Sequence, residues 1–170
     1  MPDCREVALI KRVIDVLSGI VAGATNAAGG TYTYSFNSTD AVQLGESAGP
    51  PLVDSGSILL AWVGESNEHG IALTDYHPSV SLELHIFVPA SDVTPAAKTY
   101  AILNALADVR MAIEDDQNAG TNACLGTLTD KLVIRNSGEI TGDSFEDAPN
   151  LAEGVCTLEM SYRRRMGVAT

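Results

Sequence analysis

The chain has 170 residues, 45% of them apolar and 19% charged, with a formal net charge of -12. This length favours a single domain with room for a proper core, and the longest apolar runs fall far short of the roughly 18 residues that would suggest a membrane span. Twenty-two acidic side chains against ten basic ones argue against tight wrapping of nucleic acid, whose affinity comes from phosphate neutralisation. An acidic wall suits DNA that slides past without sticking, although solubility alone explains the same charge.

The opening "MPDCREVALIKR" puts Asp3 and Glu6 among its first residues, unlike the basic start and unbroken apolar core of a secretory signal. A helix is expected from about Arg5 to Val21, with Val7, Ile10, Val13, Ile14, Leu17, Ile20 and Val21 as its apolar stripe, Asp3 as N-cap and Gly23 as stop. Tyr32, Tyr34 and Phe36 alternate with Thr31, Thr33 and Ser35 and predict a first strand. From Asn37 to Gly56 the glycines and prolines predict a long exposed loop. Ser57 to Val63 is a buried strand, and "GESNEHG" (Gly64 to Gly70) a polar turn. Val80, Leu82, Leu84, Ile86 and Val88 alternate with Ser81, Glu83, His85 and Phe87, the clearest half-buried strand, bracketed by Pro78 and Pro89.

Thr94 as N-cap and Pro95 at the first helical position open a second helix. Its stripe, Ile102, Leu103, Leu106, Val109, Arg110 and Ile113, runs to about Asp116. A strand over Lys131 to Asn136, a turn at Ser137 and Gly138, an irregular acidic loop at about 140–153 and a last strand from about Gly154 to Arg164 complete the chain. The expected fold is α+β: a mainly antiparallel β-sheet with two amphipathic helices packed on one face. The other face carries Glu83, His85, Thr157, Glu159, Ser161 and Arg163 and should be wetter.

Motifs for chemistry are sparse. Cys4, Cys124 and Cys156 show no CxxC spacing, so they read as free thiols in a reducing compartment, with Cys4 and Cys156 buried. Glu83 and His85 could offer two metal ligands, as could Asp75 and His77, but two ligands do not make a site. "DSGS" (Asp54 to Ser57) has only a superficial likeness to an acid-protease triplet, and there is no GxSxG elbow and no Walker-type lysine. No catalytic, cofactor-binding or metal residues are assigned.

The layout as a whole resembles the tail terminator (tail completion) proteins of tailed bacteriophages. The likeness rests on the order of "REVALIKRVIDVLSGIV", "PLVDSG", "SVSLELHIFVP", a D-x-T-P lead into "AILNALADVRMAIEDD", "SGEI" and the closing "GVCTLEMSYRRRMG", whose Tyr162 and Arg163 match a final strand ending in Tyr-Arg. It implies a structural virion protein without catalytic residues or cofactors, assembled in the host cytoplasm. It implies a hexameric ring on the last ring of the tail tube, contacting tube protein and head-neck connector, with DNA passing through its lumen and no membrane partner. Another small neck protein or a tube-like ring subunit is the structural alternative. A ligand-binding or enzymatic face built on Glu83, His85 and Glu159 is the alternative of a different class.

The run Arg163, Arg164, Arg165 holds three of the ten basic residues. Alternation separates Arg164 from the other two, so an extended strand cannot present them as one nucleic-acid patch. The expectation is a subunit or tube interface in which they reach acidic groups such as Asp143, Glu146 and Asp147 of a neighbour, or partners in their own chain.

Overall fold

The structure, a computed structural model, describes residues 4–26, 31–38, 42–45, 56–69, 75–118, 131–141, 149–162 and 164–165. Two helices, α1 (Arg5–Ser18) and α2 (Pro95–Asn118), accompany β1 (Val42–Leu44), β2 (Ser57–His69), β3 (Asp75–Pro89), β4 (Lys131–Thr141), β5 (Leu151–Ser161) and β6 (Arg164–Arg165). The sheet order is β1-β2-β3-β5-β4, with β6 paired to the start of β3. Among the described residues only β1 and β2 run parallel, and every other strand pairing is antiparallel. The fold is α+β, as the alternation of strand and helix patterns implied.

Both helices share one core with one face of the sheet. Val80, Leu82, Leu84, Ile86 and Val88 of β3 are buried, as the alternation predicts, together with Cys156, Leu158 and Met160 of β5 and Ile58 and Leu60 of β2. Each such Leu or Ile contributes about 1.5–3 kcal/mol by leaving water. On α1 the buried set is Leu9, Val13, Leu17 and then Ile20 beyond the helix, while Val7 and Val21 are exposed. Ile10 and Ile14 pack half-buried against the same core, so the expected stripe holds except at Val7 and Val21, and Leu9 joins it. On α2, Ile102, Ala105, Val109, Ala112 and Ile113 are buried, whereas Leu103 and Arg110 face solvent. The alanines let the helix approach closely, so the stripe centres on small residues. At Gly154 of β5 the approach is closest: a Cβ there would lie 2.4 Å from Ile102 Cγ2.

Several expected boundaries are corrected. Helix α1 stops at Ser18, not Val21, and Gly19 closes it by donating to the Val16 carbonyl at 3.2 Å. Gly23 lies in the turn beyond, at φ +80°. The N-cap position is Cys4, which makes no side-chain capping bond; Asp3 lies outside the described residues. The expected strand over residues 31–36 does not join the sheet. Its backbone turns back on the end of α1: Tyr34 N–H donates to Ala24 at 3.0 Å and Gly23 N–H to Tyr34 at 2.9 Å, with one bridge, Thr25 to Thr33. The expected loop at 37–56 contains β1, and its residues 39–41 and 46–55 lie outside the described residues.

The supposed turn over residues 64–70 continues β2 as far as His69. A register shift between Trp62 and Gly64 allows this, and Gly64 takes φ +153°, which L side chains rarely adopt. Pro89 ends β3 as expected, but Pro78 lies inside the strand rather than before it, and β4 passes through Ser137 and Gly138 with a second register shift. The last long strand starts at Leu151, inside the expected loop at 140–153; residues 142–148 lie outside the described residues. The expected Thr94 cap holds, its Oγ1 accepting from Ala97 N–H at 3.4 Å, with Pro95 opening the helix.

Candidate functional site

The outer face of the sheet, away from the helices, gathers charge where neighbouring strands meet. His85 on β3 stands between two carboxylates: Nδ1 is 2.7 Å from Glu153 Oε1 on β5, and Nε2 is 2.8 Å from Glu83 Oε1 on its own strand. Strand alternation places Glu83 and His85 on one face, and the antiparallel register sets β5 alongside, with Val155 opposite His85. Both ring nitrogens can donate only in the imidazolium. Partial burial alone would lower the His85 pKa, but the hydrogen bonds to Glu153 and Glu83, and then their charges, outweigh it and raise it above 6.5. Further along the face, Arg135 of β4 pairs with Glu159 of β5 at 3.1 Å, an exposed pair of little energetic weight. At the other end Leu59, Phe87 and Leu151 form a small buried apolar cluster.

Glu83, His85 and Glu159 therefore do not present a free imidazole base. Both nitrogens of His85 are occupied, and Glu159 is engaged by Arg135. Among the described residues no group of three or more His, Cys, Asp or Glu is placed to hold a metal ion. His77 is exposed on β3 and Cys4 is exposed, contrary to its expected burial. Cys156 is buried as expected, and burial pushes its thiol up to about 12, partly offset by the charge of Arg110. Such a thiol is a poor nucleophile.

A second polar constellation lies on the helix side. Asp108 of α2 has no exposure and accepts four hydrogen bonds from one short segment: Tyr32 Oη at 2.7 Å, Ser35 N–H at 2.7 Å, Ser35 Oγ at 2.6 Å and Phe36 N–H at 3.2 Å. It holds Tyr32 and Phe36 against the core and takes the place of the ladder that a strand would have supplied. Burial, then the bond to Asp108 and its charge, raises the Tyr32 pKa and keeps the hydroxyl a donor. Beside this segment a cleft of about 450 Å³ opens between Ser35, Asn37, Pro89, Tyr100 and Asn104.

The closing strand is tied to the first helix. Tyr162 is fully buried, donates its hydroxyl to Glu6, and carries the Arg5 guanidinium 5.5 Å above its ring. Just beyond it, the backbone of Arg164 and Arg165 pairs with Tyr76 and Asp75. The side chains of Arg164 and Arg165 lie outside the described residues, as do Arg163, Asp143, Glu146 and Asp147 entirely, so no contact between the two sets is described.

Sequence reading missed Asp108, took Asp115 for a solvated helix-end charge although it is buried, and missed Glu153. The first two carried a usable signal: they fall at three- and four-residue spacing with Ala105 and Ala112, on the buried face of α2. A carboxylate on an apolar stripe must have donors aimed at it. Glu153 gave no such signal, because its bond to His85 depends on the register of two strands distant in sequence. Neither a scan of the chain against protein-family models nor a search of curated proteins gives a match.

Proposed function

We propose that this chain is a structural subunit of a bacteriophage tail. It forms a ring, six subunits in number, that caps the tail tube, ends its polymerisation and joins it to the head-neck connector, leaving a lumen for DNA. The kind of assembly comes from the resemblance carried by the order of the sequence segments. The observation that carries the reading is the β2–β3 hairpin. Pairing of β3 with β5 begins at Ser79, yet β2 and β3 stay paired beyond it through Asn67–Pro78, Glu68–His77 and His69–Tyr76. At the register shift of β2, Trp62 is 46% exposed and Val63 59% exposed, while β6 pairs with β3 further along at Tyr76 and Asp75. A large exposed aromatic beside an exposed valine on this hairpin suits burial against a neighbouring subunit.

The acidic balance fits a lumen that repels phosphate. Both ring nitrogens of His85 are bonded to carboxylates, which favours the structural reading over an enzymatic face. The test is to add purified protein to tail tubes growing in vitro and view them by electron microscopy. The expected result is arrested elongation and a ring at one end. Long tubes formed by this chain alone would point instead to a tube-like subunit. Tubes of unchanged length with bare ends would count against the capping role.

A further inference from the structure

A second cleft, of about 380 Å³, lies between α1 and α2. Val16, Ala112 and the ring of Tyr34 give it apolar walls, and Asp15, Asp115 and Asp116 line it. Arg12 pairs with Asp116, which leaves the charge of the other two carboxylates uncompensated by that pair. Asp15 is exposed at the rim, whereas Asp115 is only 8% exposed. One oxygen of Asp115 accepts from Asn26 Nδ2 at 2.7 Å, but among the described residues Oδ2 has no hydrogen-bond partner, and neither has Asn26 Oδ1. A carboxylate oxygen taken out of water with nothing donating to it is costly, so the site calls for a donor that the described residues do not supply.

The geometry selects the donor. A metal ion needs several carboxylates converging at one point, and among the described residues no such group exists. A guanidinium spreads five N–H groups over a plane, so it can meet acceptors that do not converge, and its methylene stem and flat face pack on aliphatic and aromatic walls. We propose that this cleft receives an arginine side chain from the Arg163–Arg165 run of a second copy of the chain. The inference rests on the ring reading above and gives it a seam. Within one subunit, Tyr162 is fixed against Arg5 and Glu6 at the first turn of α1, and the backbone of Arg164 and Arg165 pairs at the start of β3. The cleft opens further along the helix, from Arg12 to Gly19, which favours a neighbour as the donor. Three arginines in a chain of net charge -12 supply the complementary charge.

The probe is the peptide of residues 160–170, titrated calorimetrically into the full-length chain carrying Arg163→Ala, Arg164→Ala and Arg165→Ala, which vacates the seat. The peptide should bind, and Asp115→Asn or Asp15→Asn in the same chain should weaken it at least tenfold. The same peptide with alanines for its arginines should not bind. Asp15 is exposed, so its variant keeps the test valid even if Asp115→Asn disturbs folding. Absence of binding, or binding indifferent to both aspartate changes, overturns the proposal. The ring itself is judged separately, on otherwise native chains. If Asp15→Asn and Asp115→Asn assemble rings as readily as the unaltered protein, the seat is wrong and the ring stands. If the chain never assembles yet binds the peptide through Asp115, the seat stands and the ring reading fails.

Discussion

The two faces of one sheet are built from alternate residues of the same strands, yet they are held by different physics. On the helix side of β3, Leu82, Leu84 and Ile86 are completely buried and their neighbours are interchangeable hydrocarbon. On the outer side, Glu83 and His85 interact with Glu153 across the β3–β5 seam, through bonds that depend on angle and on protonation. The inner face carries the stability, because burial is non-directional and sums over many residues. The outer face carries charge that a neighbour or the pH can alter.

Substitutions on the two faces should therefore differ in size and in kind. The largest effect is expected at Leu84, where Leu84→Ala should cost about 3 kcal/mol, measured by urea unfolding, with no dependence on pH from 5.5 to 8. Gly154→Ala comes next, at about 1–3 kcal/mol. The added methyl would meet Ile102 Cγ2 in space that this side chain already fills, and Gly154→Ala should cost less in a chain that carries Ile102→Ala, which removes that methyl, than in the natural chain. A cost for Gly154→Ala unaffected by Ile102→Ala would contradict that packing.

The smallest effect is the most specific. The folded-state pKa of His85 is raised, so its contribution is fully present below about 6.5, the unfolded value, and is lost as pH rises through the folded value. The groups facing it are Glu83 on β3 and Glu153 on β5, with Glu159 and Arg135 further along the face and Leu59 of β2 opposite in register. The stability advantage of the natural chain over His85→Gln should be under about 1 kcal/mol at pH 6 and shrink toward pH 8. An advantage that grows with pH would show that His85 is neutral in the folded chain.

The same contrast explains what was legible in the sequence. Alternation in β3 and the Thr94–Pro95 helix start are local signals, and both hold in the structure. Lengths were harder to read. Gly64 and the Ser137–Gly138 pair have turn chemistry but occupy register shifts inside long strands, since the pairing partner decides whether such residues turn or bulge. Tyr32, Tyr34 and Phe36 have strand chemistry, yet Asp108, more than seventy residues away, and the segment at 23–26 take their backbone groups. The candidate site was the least legible part. Glu83 and His85 stood out, but Glu153 reaches them only through tertiary pairing, and the orphan oxygen of Asp115 exists only once α2 is buried.

Assembly is the most direct test of the account. Native mass measurement of the purified chain at high concentration, alone and with tail tubes, should find closed rings, with six subunits the preferred number. A monomer–ring equilibrium that shifts to rings on the tube tip also agrees. Monomer alone under both conditions would contradict the central claim.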